Sequence, residues 1–134
     1  MLTHFFIYGI LGWTLEVFWT GLGSLSLGNW QLPGFTYLWM FPIYGLAAFM
    51  EPLHDRIADL PWYIRGLLWM TLIFAIEYAT GSLLCFILGN CPWDYRVSTP
   101  YHINGLIRVD FAPAWFVVGL LFEKIHHMLD KIRV

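Results

Sequence analysis

The chain has 134 residues, 59% of them hydrophobic and 12% charged, with a formal charge of −2. A soluble domain carries about a quarter charged residues, so this composition belongs to a membrane protein, and its length leaves room for one domain and no separate nucleotide-binding module. No Gly-rich run followed by Lys-Ser or Lys-Thr occurs, and a slightly acidic chain lacks the basic stripe that nucleic acid requires.

The first predicted span is Leu2 to Leu22, and its apolar run is interrupted by one charge, Glu16. At helical spacing Gly9, Gly12, Glu16, Thr20 and Gly23 fall close to one face. Small residues let helices approach closely in lipid, and a polar group on that face prefers a partner to hydrocarbon. Glu16 is therefore expected to point inward, with Phe5, Phe6, Phe18 and Trp19 on the lipid side. The N-terminus shows neither a basic start nor an Ala-x-Ala site, which predicts an uncleaved anchor.

Gly21 to Thr36 is a loop with no charged residue but several turn formers, among them Gly28, Asn29, Pro33 and Gly34. The second predicted span is Tyr37 to Leu53. Its Pro42 and Gly45 mark either a helix start or a broken segment lining a cavity. Glu51 to Pro61, the most charged stretch, forms the second loop.

Trp62 to Gly89 is the longest apolar run and holds a single carboxylate, Glu77, near its middle. A bilayer core is crossed by ~20 apolar residues. A glutamate at such depth costs several kcal/mol unless paired, protonated or wetted, which marks a candidate functional site. Trp62 and Tyr63 anchor the entry of this span, and Arg65 is expected to snorkel to the interface. Cys85 and Cys91 are expected to stay apart, a buried small residue and a loop thiol, since a bridge would need the helix to end early.

Asn90 to Pro113 is the third loop, and Phe111 to His127 the fourth predicted span, followed by a short tail from Met128 to Val134. Loop two and the tail, with the helix ends beside them, carry Arg56, Arg65, Lys124, Lys131 and Arg133, against Arg96 and Arg108 in loop three. That excess places loop two and both termini in the cytoplasm. The predicted fold class is thus an all-α membrane protein of four transmembrane helices over residues 1–134, in the cell inner membrane, with both termini cytoplasmic.

The segment Cys91-Pro92-Trp93-Asp94-Tyr95, followed by Asn104-Gly105-Leu106-Ile107 and Pro113-Ala114-Trp115, resembles the CmpB-type ABC transporter permease family. It is also similar to the animal transmembrane protein 229 family. Gly12-Trp13 with Glu16, Pro42-Ile43-Tyr44-Gly45, Glu77-Tyr78 and Thr80-Gly81 extend the likeness over nearly the whole chain. The resemblance implies a small multi-span membrane protein with a transporter label.

Both expected carboxylates lie about fifteen residues into outward-running spans, so Glu16 and Glu77 are predicted at similar depth in the outer half. Loop three, with Asp94, Tyr95, His102 and Arg108, returns to that side. Two readings follow. In one, the glutamates tie helices together and Arg108 or Arg96 caps a carboxylate. In the other, Glu16, Glu77, Trp93, Asp94, Tyr95, Asn104 and Arg108 form a site for a small solute, ion or lipid headgroup. The chain would then be transporter-like. The competing role is an accessory subunit packed against a larger membrane complex or a homo-oligomer, and a lipid-modifying enzyme using Asp94, Tyr95 and His102 is the third class. No metal centre is expected: Glu123 with His127 has i,i+4 spacing but reads as a helix end, and no His-Glu-x-x-His pattern occurs. The sequence leaves any cofactor unknown.

Overall fold

A computed structural model of the chain describes residues 1–132. Arg133, one of the five basic residues counted above, lies outside the described residues. The chain forms two compact units, Met1–Glu51 and the segment from Pro52 onward.

The first unit is a long helix, α1 (Leu2–Ser26), packed against α2 (Met40–Gly45) and a 3-10 turn (Leu46–Met50). Pro42 is the third residue of α2, in the first turn, where its missing N–H leaves no helical bond unmade. The helical path tightens into the 3-10 turn directly after Gly45. The expected face of α1 is the packed one. A Cβ on Gly9 would lie 2.8 Å from the Phe41 ring, and one on Gly12 would lie 2.1 Å from Cγ of Tyr44. Thr20 continues this face, its hydroxyl donating to the Phe35 carbonyl (2.9 Å) and accepting the Phe35 N–H (2.8 Å).

Two residues depart from that expectation. Phe5 belongs to the packed face, since a Cβ on Gly45 would meet its ring at 2.6 Å. Gly23 meets nothing within 4 Å, because α1 has by then passed the end of its partner. Phe6, Phe18 and Trp19 are exposed, although the Phe6 ring also meets Phe41 at 5.9 Å.

The second unit contains α4 (Trp62–Leu88) and α5 (Ala112–Ile132), with α3 (Glu51–Ile57) starting at the boundary. Glycines again set the close approach. A Cβ on Gly66 would lie 2.4 Å from the Phe116 ring, and one on Gly119 would lie 2.2 Å from Cβ of Trp69. Trp69 is thereby fully enclosed.

Gly89 ends α4 in the left-handed conformation (φ 74°), its N–H bonding to the Cys85 carbonyl at 3.1 Å. Glycine suits this helix-terminating geometry because it has no Cβ to clash. The reversal doubles the chain back on itself, and Cys91 forms a disulfide with Cys85 across a Cα separation of 4.2 Å. The expectation of two separate thiols is corrected here: the helix runs its full length, and the glycine turn supplies the return.

Loop three contains a two-stranded hairpin, β1 (His102–Ile103) with β2 (Ile107–Arg108), in the register His102 to Arg108 and Ile103 to Ile107. Its turn is Asn104-Gly105, with φ of 52° and 73° and a 3.0 Å bond from the Leu106 N–H to the Ile103 carbonyl. Two consecutive positive φ angles are the reason for the Asn-Gly pair.

Only α1 and α4 are both long and apolar enough to cross a membrane by themselves among the described residues. A soluble core helix would be mostly buried, whereas 22% and 11% of their most apolar stretches are. Their side chains, Phe86 (87% exposed) among them, are turned outward. The second predicted span is the shorter run of α2 and the 3-10 turn, and Glu51–Ile57, expected as loop, is instead the helix α3; the fourth predicted span is α5, which carries Glu123, Lys124, Asp130 and Lys131.

Candidate functional site

Each of the two expected carboxylates finds a tyrosine within its own unit. In the first unit the Tyr44 hydroxyl donates to Oε2 of Glu16 at 2.8 Å. The same Tyr44 ring fills the space over Gly12, so one residue both seats the helix pair and partners the charge.

In the second unit Glu77 is buried (6% exposed), and the Tyr95 hydroxyl donates to its Oε1 at 3.2 Å. Tyr95 comes from loop three, and the loop is built to deliver it. Trp93 is buried against Gly81 of α4, where an added Cβ would lie 3.0 Å from the indole, and its Nε1 donates to the Leu106 carbonyl at 3.0 Å. Asp94 accepts from the Arg96 N–H at 2.9 Å and starts the short 3-10 turn Tyr95–Val97. The Tyr95 N–H reaches the Gly105 carbonyl at 2.9 Å. Gly105 has no room for a side chain, since a Cβ would lie 2.3 Å from Oδ1 of Asp94. Asn104 donates to the Tyr78 hydroxyl at 2.9 Å.

Trp93, Asp94 and Asn104 therefore build the lid, and Tyr95 carries it to the carboxylate. Six of the seven predicted residues are Glu77 itself or belong to loop three, whose Tyr95 reaches it. Arg108, the sixth, pairs with Asp110 at 2.6 Å and lies over the Phe111 ring at 4.3 Å and the Tyr95 ring at 6.0 Å. Hydrogen bonding from Arg108 holds the Asp110 carboxyl below the usual carboxylate range. Arg96 pairs with Asp94 at 3.6 Å and donates to the Asn104 carbonyl at 3.2 Å. Glu16 belongs to the other unit and is described by its own partners.

Three polar clusters were not foreseen. In the first unit Glu51 accepts from the Tyr8 hydroxyl (2.8 Å) and faces Nδ1 of His4 (2.6 Å). In the second, the expected snorkelling of Arg65 is replaced by a pairing: its Nε and Nη2 lie 2.8 and 3.1 Å from Glu123, and Nε1 of Trp69 donates to the same carboxylate at 2.7 Å. Arg65 also donates to the carbonyls of Ala58 and Leu60, which ties it to the α4 entry. The third cluster joins His54 and Asp55 of α3 to His126 of α5. Hydrogen bonds from His126 and then His54 hold the Asp55 carboxyl below its usual range. A signal existed for the Arg65 cluster, an arginine and a glutamate each inside a predicted span, but 58 residues separate them.

The family model described as "Putative ABC-transporter type IV" (ABC_trans_CmpB) matches residues 3–133. The chain belongs to this family. The motifs that suggested it have structural meaning in this family member: Trp93-Asp94-Tyr95 and Asn104-Gly105 are the two halves of the lid, and Gly81 of the Thr80-Gly81 pair is the surface on which Trp93 lies. The likeness to the animal transmembrane protein 229 family stays a resemblance. No solved structure was found to match the chain.

Proposed function

We propose that this is a transporter-like inner-membrane protein with four spans, both termini cytoplasmic, and a ligand site centred on Glu77 beneath loop three. The site takes a small solute, ion or lipid headgroup with positive character, because its central group is a carboxylate. One observation carries the reading. Glu77 lies eleven residues before the end of α4, about 16 Å along the axis at ~1.5 Å per residue. A helix of 27 residues overhangs a ~30 Å hydrocarbon core by about 5 Å at each end when centred. Glu77 would then lie about 10 Å inside, with non-helical loop backbone beside it. Such backbone is tolerated at membrane depth where it is enclosed by protein or lines a wet cavity.

Tyr95 adds a second reason. It approaches Glu77 from a loop, and a loop can leave a carboxylate more readily than a neighbouring helix can. The carboxylate would exchange the tyrosine hydroxyl for a cationic group on opening.

The test is ion and proton flux in vesicles reconstituted with the full chain, using a pH-sensitive dye and monovalent cations. Glu77→Gln keeps size and hydrogen bonding while removing the charge. It should stay folded and lose flux by tenfold or more, and Tyr95→Phe should alter the rate without abolishing it. A folded Glu77→Gln protein with full flux removes Glu77 from any charge-dependent role. Inert wild-type vesicles, with a stoichiometric membrane partner co-purifying in mild detergent, would replace this reading with the accessory-subunit one.

A further inference from the structure

We propose that His54, Asp55 and His126 form a binding site for a divalent transition metal of the zinc class, distinct from the Glu77 site and independent of it. The three side chains come from two helices of the second unit, and their ligand atoms lie within 4.8 Å of one another. Asp55 Oδ1 is 3.4 Å from His54 Nδ1 and 3.3 Å from His126 Nε2. These contacts are long for charge-assisted hydrogen bonds, which settle near 2.7–2.9 Å. They match another geometry. In a tetrahedral site with metal–ligand bonds of about 2.0–2.1 Å, neighbouring ligand atoms stand roughly 3.3–3.4 Å apart. The carboxylate oxygen thus sits at one vertex with an imidazole nitrogen at the proper edge length on either side.

The donor set suits such an ion. Two imidazoles and a carboxylate form a borderline set that accepts zinc, cobalt or nickel and disfavours calcium and magnesium, which take oxygen. Three protein ligands leave a fourth position for water or for Asp130, whose Oδ2 lies 3.5 Å from His126 Nε2.

The rings are held in place before any ion arrives. His54 and His126 are 3% and 4% exposed. His54 stacks on Trp69 at 6.4 Å and 19°, and His126 stacks on Phe122 at 6.2 Å and 6°. Trp69 and Phe122 in turn meet edge to face at 5.2 Å. Aromatic packing of this kind fixes ligand orientation, which a tight site requires. Asp55 is the exposed member, at the mouth, and gives an ion its way in. Reading along one helix, where Glu123 and His127 stand at i,i+4, does not reveal this set. The site needs His54 and Asp55 from α3, 71 residues away from His126 for the carboxylate.

Cobalt titration of the tag-free full chain in detergent tests the proposal, read by the visible absorption of tetrahedral Co²⁺ and by displacement with Zn²⁺. One equivalent per chain should bind, with Kd on the order of micromolar or tighter. Asp55→Asn, at an exposed position, should weaken binding at least tenfold, and His126→Gln should remove the absorption. His102→Gln, in loop three, should leave both unchanged. No stoichiometric binding by the wild-type chain overturns the site. So does an Asp55→Asn protein that binds as tightly as wild type, and this result stands even where His126→Gln fails to fold.

Discussion

Two buried glutamates lie along α4, one on α5 beside its entry and one on α4 itself, and they are partnered differently. Near the entry, Glu123 of α5 receives an arginine and a tryptophan, three donated hydrogen bonds in all, from side chains seated on the helix itself. Toward the far end, Glu77 of α4 receives a tyrosine hydroxyl from a loop held down by Trp93. An arginine–carboxylate pair braced by packed helices is a fixture. In the proposed function, a hydroxyl carried on a loop can move with that loop. Burial alone therefore does not distinguish a helix tie from a binding group, and the contrast between the two carboxylates is a matter for experiment.

The largest effect is expected at the fixed end. Glu123→Ala leaves the Arg65 guanidinium without its carboxylate beside the enclosed Trp69. Breaking a buried pair costs roughly 3–5 kcal/mol, and because Arg65 is partly exposed the loss should be near 3 kcal/mol. Unfolding in mixed detergent measures it. Glu77→Gln should cost under about 1 kcal/mol in the same assay. If the two changes destabilise equally, the contrast between the ends disappears.

A middle-sized effect is expected from the glycine contacts, which test whether packing is as strict in the first unit. Gly12→Leu drives side-chain atoms into the Tyr44 ring near its Cβ, where the ring cannot swing away, and also disturbs the Glu16 partner. Overpacking of this kind costs about 1–3 kcal/mol. Gly23→Ala, with open space around it, should be neutral or slightly stabilising, since alanine favours the helix by up to ~1 kcal/mol. Equal losses from both, in thermal unfolding in detergent, would refute the assigned face.

The smallest effect is acid sensitivity in the lid. The Arg108 hydrogen bonds lower the Asp110 pKa in the folded state, so the ionised carboxylate favours folding. That contribution is fully present above the unfolded value of about 3.9 and fades as pH falls through the lower folded value. The gap in unfolding temperature between wild type and Asp110→Asn should be small at pH 7 and should close near pH 2–3. A gap that stays constant with pH would mean that the pair does not stabilise the lid.

The apolar spans were readable because composition over 20 or more residues leaves few alternatives, and α1 and α4 agree with the predicted runs within a few residues. The packed face of α1 was readable from its glycine and glutamate spacing. What escaped has a common physical cause. The Arg65–Glu123 pair, the His54–Asp55–His126 set and the place of Phe5 beneath Gly45 depend on which helices become neighbours, and periodicity along one helix carries no such information. The disulfide is a different case. Gly89-Asn90 after a long apolar run is a recognisable helix stop, and the reversal it permits brings Cys91 back over α4. In the lid, Trp93-Asp94-Tyr95 and Asn104-Gly105 were conspicuous as motifs, but their meaning as a hairpin turn and its anchor needed the backbone angles.

The Cys85–Cys91 bridge also has a consequence for cell biology. Disulfides last in oxidising compartments and are kept reduced in the cytosol by thiol buffers. A bridge at the mouth of loop three therefore serves as an internal record of the compartment that the loop met during assembly. Chains inserted with loop three outward should carry the bond, and chains inserted the other way should carry two free thiols. Alkylating intact cells under non-reducing conditions would sort the two populations by mass, with no engineered tag and no reporter fusion.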